Sequence, residues 1–338
     1  MRGLFAIKRA VVVGLIGWVW VFFATPLQAA YCSLRDPVLA INTLYSGATT
    51  HRSVVKTITG KTRNAIAQRL PFTLHFNELG RHTIYVAYYQ DKPLGFVHAR
   101  SELSDWGLIE IAWALTPDLT IDDFFFQRCR SPECSESLRQ RVLADIKGQS
   151  LDNILALMDK SANALVPELA QKYKGESELV LSLLRSALKT IAATQYGWPN
   201  TVLNAQRIDF LNSALKRNDM HVRVRPLREA GEQYWATLLD DSIVDTKTIN
   251  MFDIYAGSQE IARLAQAHWR HHGRTGVFQW VFSGDREVLA IRFSGIKPEP
   301  SMEEAFIQLV GHRLPSIENC ASASQVVGVA LYHSLYHK

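Results

Sequence analysis

The sequence holds no GxSxG, HExxH, CxxC or GxGxxG pattern and no P-loop. An autonomous hydrolase or dinucleotide enzyme therefore has no visible machinery here. Past residue 24 no apolar run reaches the roughly 20 residues that a membrane-spanning helix needs. Charge of one sign is also in short supply. The formal net charge is +5, from 37 basic and 32 acidic residues. Arg2, Lys8 and Arg9 account for three of the basic ones, so the rest of the chain stands near +2 (34 against 32). That balance gives no footing for nucleic acid and no polybasic patch for anionic lipid. Cysteine is scarce, with four residues: Cys32, Cys129, Cys134 and Cys320. None has the spacing of a zinc finger.

What is present begins with a leader. Arg2, Lys8 and Arg9 make a positive start, Ala10 to Ala24 is apolar throughout, and Pro26, Gln28, Ala29 and Ala30 supply a breaker and small residues. This is the three-zone pattern of a secretory signal peptide, expected over residues 1–30. It places the rest of the chain in an extracytoplasmic, periplasmic compartment. An uncleaved anchor is the competing reading, sustained by the bulky Trp18 and Trp20, and would be the chain's one route to membrane contact. Tyr31 before Cys32 argues against a lipoprotein, which would carry a small residue there. In an oxidising compartment an even cysteine count favours disulfides. Four cysteines allow three pairings. Cys129 and Cys134 flank a turn at Pro132, while pairing Cys32 with Cys129 would instead tie down the start of the mature chain.

An apolar fraction of 47% is ample for a core. Periodicity predicts helices over Asp36–Leu44, Thr62–Leu70, Ser135–Ile146, Leu151–Met158, Leu179–Thr194, Thr201–Arg217, Gln259–His272, Met302–Val310 and Ala323–Leu335. Val54–Ile58, His221–Val224 and Gln233–Leu239 read as extended. Three hairpins are expected: His82–Tyr89 with Leu94–Arg100, Gly107–Leu115 with Leu119–Phe126, and Val277–Phe282 with Val288–Phe293. The fold class is α+β, with two related modules, each a small antiparallel sheet packed by helices. Gly197-Trp198-Pro199 marks the cut, giving modules over 31–198 and 199–338.

The relation between the modules rests on an ungapped match. WALTPDLTIDDFFF, from Trp113, aligns with WVFSGDREVLAIRF, from Trp280. Each is followed by an amphipathic helix, a glycine (Gly148 in GQSL, Gly311 in GHRL), a short segment and a closing apolar helix (LLRSALKTI, VVGVALYHSL). Glycine just past a helix is the expected left-handed stop. Internal duplication is the expectation; the competing view is that any hairpin–helix–glycine series looks similar.

Strand, turn, strand, helix, G-x-x-L, short segment, apolar helix: this order resembles the FMN-binding domain of the periplasmic flavin subunits of Rnf and Na⁺-translocating quinone reductase complexes. The resemblance would cover nearly the whole mature chain, as two degenerate copies. It implies an electron-transfer component or accessory that holds FMN, with an envelope or redox protein as partner. In that family a D-x-x-S-G-A-T motif carries FMN on its threonine. By spacing from Gly311, Glu318, Ala321, Ser322, Ala323 and Ser324 occupy those places, which puts Ser324 at the acceptor position. A literal SGAT occurs at Ser46, Gly47, Ala48 and Thr49, ahead of the strands, where a helix-to-strand turn is the alternative. The flavin reading thus names Ser46, Gly47, Thr49 and Ser324, with Arg100 as a phosphate holder; a solvent-facing ion pair is the alternative for Arg100. The other reading of the chain is a non-enzymatic envelope scaffold or assembly protein that keeps the fold without flavin. Whether the chain is an enzyme stays open at this point.

His268, His271 and His272 would share a helical end if Gln259–His272 is a helix, but no carboxylate accompanies them and no metal is expected. Trp106, Trp113, Tyr85, Tyr88, Tyr89 and Phe124 to Phe126 crowd the first hairpins. They suit a flavin wall; aromatic strands are more often simply core or interface.

Overall fold

A computed structural model describes residues 33–225, 244–271, 274–295 and 299–336. The leader, Cys32 and the expected strand Gln233–Leu239 lie outside these. No helix among the described residues is long and apolar enough to cross a membrane. The architecture is α+β, with two antiparallel five-stranded sheets, each a meander in which sequential strands are neighbours. By compactness the chain divides into two units, 1–44 with 53–85 and 96–199, and 45–52 with 86–95 and 200–338.

In the first sheet β1 (Thr50–Ile58), β2 (Gly80–Tyr89), β3 (Lys92–Ser104), β4 (Gly107–Leu115) and β5 (Ile121–Arg128) follow one another. Helices α1 (Pro37–Leu44) and α2 (Gly60–Arg69) flank β1, and α3 (Glu136–Ile146), α4 (Leu151–Leu155), α5 (Pro167–Lys172) and α6 (Ser177–Gly197) follow β5. Alternation builds β2: His82, Ile84 and Val86 are buried while Arg81 is exposed. Ser135 caps α3 by accepting from the Leu138 N–H at 3.1 Å, and Leu138, Val142 and Ile146 form its buried stripe. Most of α6 is buried. Cys129 and Cys134 are joined by a disulfide, one of the three pairings open from sequence. Cys320 is free.

In the second sheet β6 (Met220–Arg225), β7 (Val244–Ala256), β8 (Gln259–His271), β9 (Arg274–Phe282) and β10 (Val288–Gly295) follow α7 (Pro199–Leu215), and α8 (Pro300–Ile307) and α9 (Ala323–Tyr336) close the chain. One face of this sheet packs Ala265, Ala267, Phe278, Trp280 and Phe282 with Phe306 and Leu331 of the last two helices. The other packs Leu264, Val281, Phe252 and Ile254 with Phe210 and Leu211 of α7.

This corrects the expected helix over Gln259–His272. Its Ala, Gln, Leu and Arg content favours a helix. The segment through His271 is instead an inner strand between β7 and β9, buried on both faces over Leu264–Ala267, so no polar–apolar alternation marks it there. His268 and His271 thus lie on a strand and not on a helical face, and His272 lies outside the described residues. The strand β7 was also not legible in the sequence.

The last three strands of the two sheets correspond position by position. β3, β4 and β5 run 92–104, 107–115 and 121–128; β8, β9 and β10 run 259–271, 274–282 and 288–295, so each boundary is displaced by 167. Special backbone follows the same offset. Gln90 (φ 54°) corresponds to Gly257 (φ 58°), and Leu119 (φ 62°) to Arg286 (φ 68°). The bulge recurs too. Ala114 pairs with Asp123 and Leu115 with Ile121, as Val281 pairs with Ala290 and Phe282 with Val288. Beyond the helix, Gly148 (φ 73°) donates to the Ile121 carbonyl at 2.7 Å, and Gly311 (φ 80°) to the Val288 carbonyl at 2.8 Å. These glycines are required because a left-handed residue must turn the chain back onto the sheet.

Candidate functional site

Strand periodicity places His98, Arg100, Glu102 and Ser104 on one face of β3. That face lies under α6, whose Ser186, Lys189 and Thr194 meet it. Trp113 Nε1 donates to Ser186 Oγ at 3.0 Å, and His98 Nδ1 lies 2.9 Å from Thr194 Oγ1. Between these contacts sits a network of buried charge. Arg100, fully buried, donates to Glu78 Oε1 at 2.8 Å. Lys189 lies 3.5 Å from the other Glu78 oxygen and 2.9 Å from Glu102. Two cations thus face two carboxylates inside the fold. Burial works to raise the Glu78 carboxyl, but Arg100, Lys189 and the His75 N–H outweigh it and hold it below its ordinary range.

Two histidines border this network. His82 Nε2 lies 2.8 Å from the Glu78 carbonyl. A carbonyl only accepts, so this nitrogen carries the proton. Burial, with Arg100 nearby, pulls His82 down to about 4. Burial, Arg100 and His82 hold His98 well below its ordinary value. His82 Nδ1 and His98 Nε2 are buried without a hydrogen-bond partner in the structure. Trp198 covers His98 edge-on, with ring centres 5.3 Å apart, and donates its own N–H to the Val54 carbonyl.

A pH dependence follows. In the unfolded chain both histidines take up a proton near pH 6.5, while His82 in the fold does so only near 4. The unfolded state therefore binds more protons through that window, and stability falls as pH drops from 6.5 toward 4. Each histidine contributes a slope of up to about 1.4 kcal/mol per pH unit. Urea midpoints at pH 7 and pH 5 measure this. A His98→Gln variant is expected to show a shallower loss, and an unchanged slope contradicts the assignment.

The second unit shows that the fold does not require these charges. His98 pairs with Trp113 and Arg100 with Ile111; at the same offset Ala265 pairs with Trp280 and Ala267 with Phe278. His82 corresponds to Ile249, which joins the same apolar cluster as Ala265 and Ala267. The same sheet geometry is thus built with small and aliphatic residues where the first unit has imidazole and guanidinium. Buried ion pairs are weak contributors to net stability compared with apolar packing. This contrast makes the first unit's polar face the candidate functional region.

At its outer end the polar face reaches a cleft of about 210 Å³ lined by Ser104, Asp105, Trp106, Ser131, Glu133 and Glu178 among others. The disulfide Cys129–Cys134 closes the loop that carries Ser131 and Glu133. Sequence reasoning missed both the network and the cleft, because their members are scattered from Glu78 to Lys189.

Comparison with family models, with curated proteins and with solved structures finds no match. The residues named from sequence for flavin are dispersed. Thr49 Oγ1 donates to the Tyr88 carbonyl at 3.3 Å and accepts from the Gln90 N–H at 2.8 Å, in the turn that leads into β1. Ser46 and Gly47 belong to the same turn. Ser324 is buried in the first turn of α9, 2.9 Å from Ser322 Oγ. Arg100, expected at the solvent or on a phosphate, is instead committed to Glu78 in the interior. Among the described residues no group of three or more His, Cys, Asp or Glu side chains is arranged to hold a metal.

Proposed function

We propose that this chain is an extracytoplasmic, non-enzymatic scaffold or assembly protein, built from a duplicated hairpin–helix–glycine unit that retains the FMN-binding-like element order without holding flavin. One observation carries the reading: three of the polar groups named for flavin already serve the fold. The Thr49 hydroxyl closes a turn, Ser324 is buried in a helix start, and Arg100 neutralises Glu78. The common displacement of 167 residues for three strands, one bulge and two left-handed residues between the sheets supports duplication. The leader pattern and the Cys129–Cys134 disulfide support an oxidising compartment outside the cytoplasm.

The visible spectrum of the chain, purified from the periplasm of a flavin-replete host, tests the reading. A colourless preparation with no fluorescent band on a denaturing gel is expected. A flavin band in the spectrum refutes the scaffold reading in favour of an electron-transfer protein. Fluorescence that survives denaturation would further assign a covalent site, to be located by Thr49→Ala and Ser324→Ala.

A further inference from the structure

The β3–β4 hairpin ends in a two-residue turn, Asp105-Trp106, between the paired residues Ser104 and Gly107. The turn is held in place. Ser104 Oγ donates to the Gly107 carbonyl at 2.8 Å, and Ser182 Oγ of α6 donates to the Leu103 carbonyl at 3.0 Å. On this fixed tip Leu103, Trp106 and Leu108 are 69%, 55% and 42% exposed. Leu103 and Leu108 are cross-strand partners and so form an exposed apolar pair beside the turn that carries Trp106. Exposed apolar side chains gathered at a hairpin tip mark an interaction surface. At the same offset the paired Leu103 and Leu108 correspond to the paired Arg270 and Thr275, so the fold does not demand apolar residues there.

The cleft beside the tip adds the second observation. Trp106 forms one wall, and Asp105, Glu133 and Glu178 supply three carboxylates, with no lysine or arginine among the lining residues. None of the three carboxylates makes an ion pair among the described residues. Serines 104, 131 and 177 supply further oxygens. An aromatic face beside carboxylates attracts a cation whose stem is apolar. Carboxylates repel anionic lipid headgroups, which argues against a membrane as occupant. A two-fold pairing of this face with itself would set the acidic clefts of both copies together, which argues against a symmetric dimer.

We propose that the hairpin tip and its cleft dock a lysine or arginine side chain presented within an apolar segment of a partner protein. The cation lies against Trp106 and the three carboxylates, while flanking apolar residues cover Leu103 and Leu108. This deepens the scaffold reading and rests on it, by naming the chemistry of the partner. The disulfide-closed loop holds one wall, so reduction of Cys129–Cys134 loosens the site.

Calorimetric titration of the full chain tests the proposal, with acetyl-Leu-Arg-Leu-amide as probe and its citrulline counterpart as the neutral control. Saturable binding is expected for the arginine peptide, weaker by about tenfold or more for citrulline, and weaker at high salt. Trp106→Ser and the double variant Asp105→Asn, Glu178→Gln are each expected to cost about tenfold or more, with the melting temperature unchanged because these side chains are exposed. Absence of binding, equal binding of both peptides, or binding that survives the variants overturns the proposal. So does Trp106-dependent sedimentation with phosphatidylglycerol vesicles, which would make the tip a membrane contact. A Trp106-dependent dimer in light scattering overturns it in favour of self-association. If the peptide fails and the protein is colourless, the docking site alone falls; if flavin is found, the scaffold reading falls whatever the peptide does.

Discussion

Arg100→Ala is expected to lower stability by about 3–5 kcal/mol, the cost of leaving a buried charge without its partner. The side chain is fully buried and its loss leaves the buried Glu78 carboxylate with Lys189 at 3.5 Å and the His75 N–H at 2.7 Å. Arg100→Met with Glu78→Leu is expected to recover most of that loss, because it removes both charges and restores apolar volume. Ala267, at the matching position of the second unit, shows that an apolar residue is compatible with this site of the sheet. Urea unfolding of the two variants and the parent decides it. If the single and double variants are equally destabilised, the ion pair is not what Arg100 contributes.

Trp280→Ala is expected to cost about 3–5 kcal/mol, the range for deleting a fully buried aromatic ring. Trp280 stacks on Phe282 with ring centres 5.7 Å apart, meets Phe306 edge-on at 5.4 Å, and lies against Gly328, where a Cβ would stand 2.8 Å from its ring. Trp113→Ala is expected to cost a similar amount in the first unit, where the ring packs 4.8 Å from Phe124. The two tryptophans should separate on replacement by phenylalanine. Trp113 Nε1 donates to buried Ser186, whereas Trp280 Nε1 is buried with no acceptor in the structure. Trp113→Phe leaves Ser186 short of a donor, at about 1–3 kcal/mol, and Trp280→Phe removes an unsatisfied group and is expected to cost less. Equal effects would contradict this reading of the two cores.

Much of this fold was legible in the sequence, and the gaps have physical causes. The hairpins at His82–Arg100, Gly107–Phe126 and Val277–Phe293 were readable because β-branched and aromatic runs end at turn residues. The glycines at 148 and 311 were readable because a helix followed by a left-handed stop has a local signature. β8 was not readable. Buried on both faces, its Ala, Gln and Leu residues carry helical propensity and no alternation, so only pairing to β7 and β9 makes it a strand. The ungapped match from Trp113 and Trp280 was visible, but its extension back through β3 and β8 was not, since His98 and Arg100 face Ala265 and Ala267 there. Beyond Arg100 and Trp106, named singly, the candidate site had no sequence signal. Glu78 lies in a short turn of helix, Arg100 in a strand and Lys189 in a helix, 111 residues from Glu78. What joins them is tertiary packing, which spacing along the chain does not encode.

The central claim is that this two-unit fold works without a bound flavin. Native and denaturing mass spectrometry of the full chain, expressed with export and abundant flavin, tests it most directly. The account predicts one mass under both conditions, that of the polypeptide less its leader and less two hydrogens for the Cys129–Cys134 disulfide. A native mass higher by one flavin mononucleotide, lost on denaturation or retained as a covalent adduct, would contradict it.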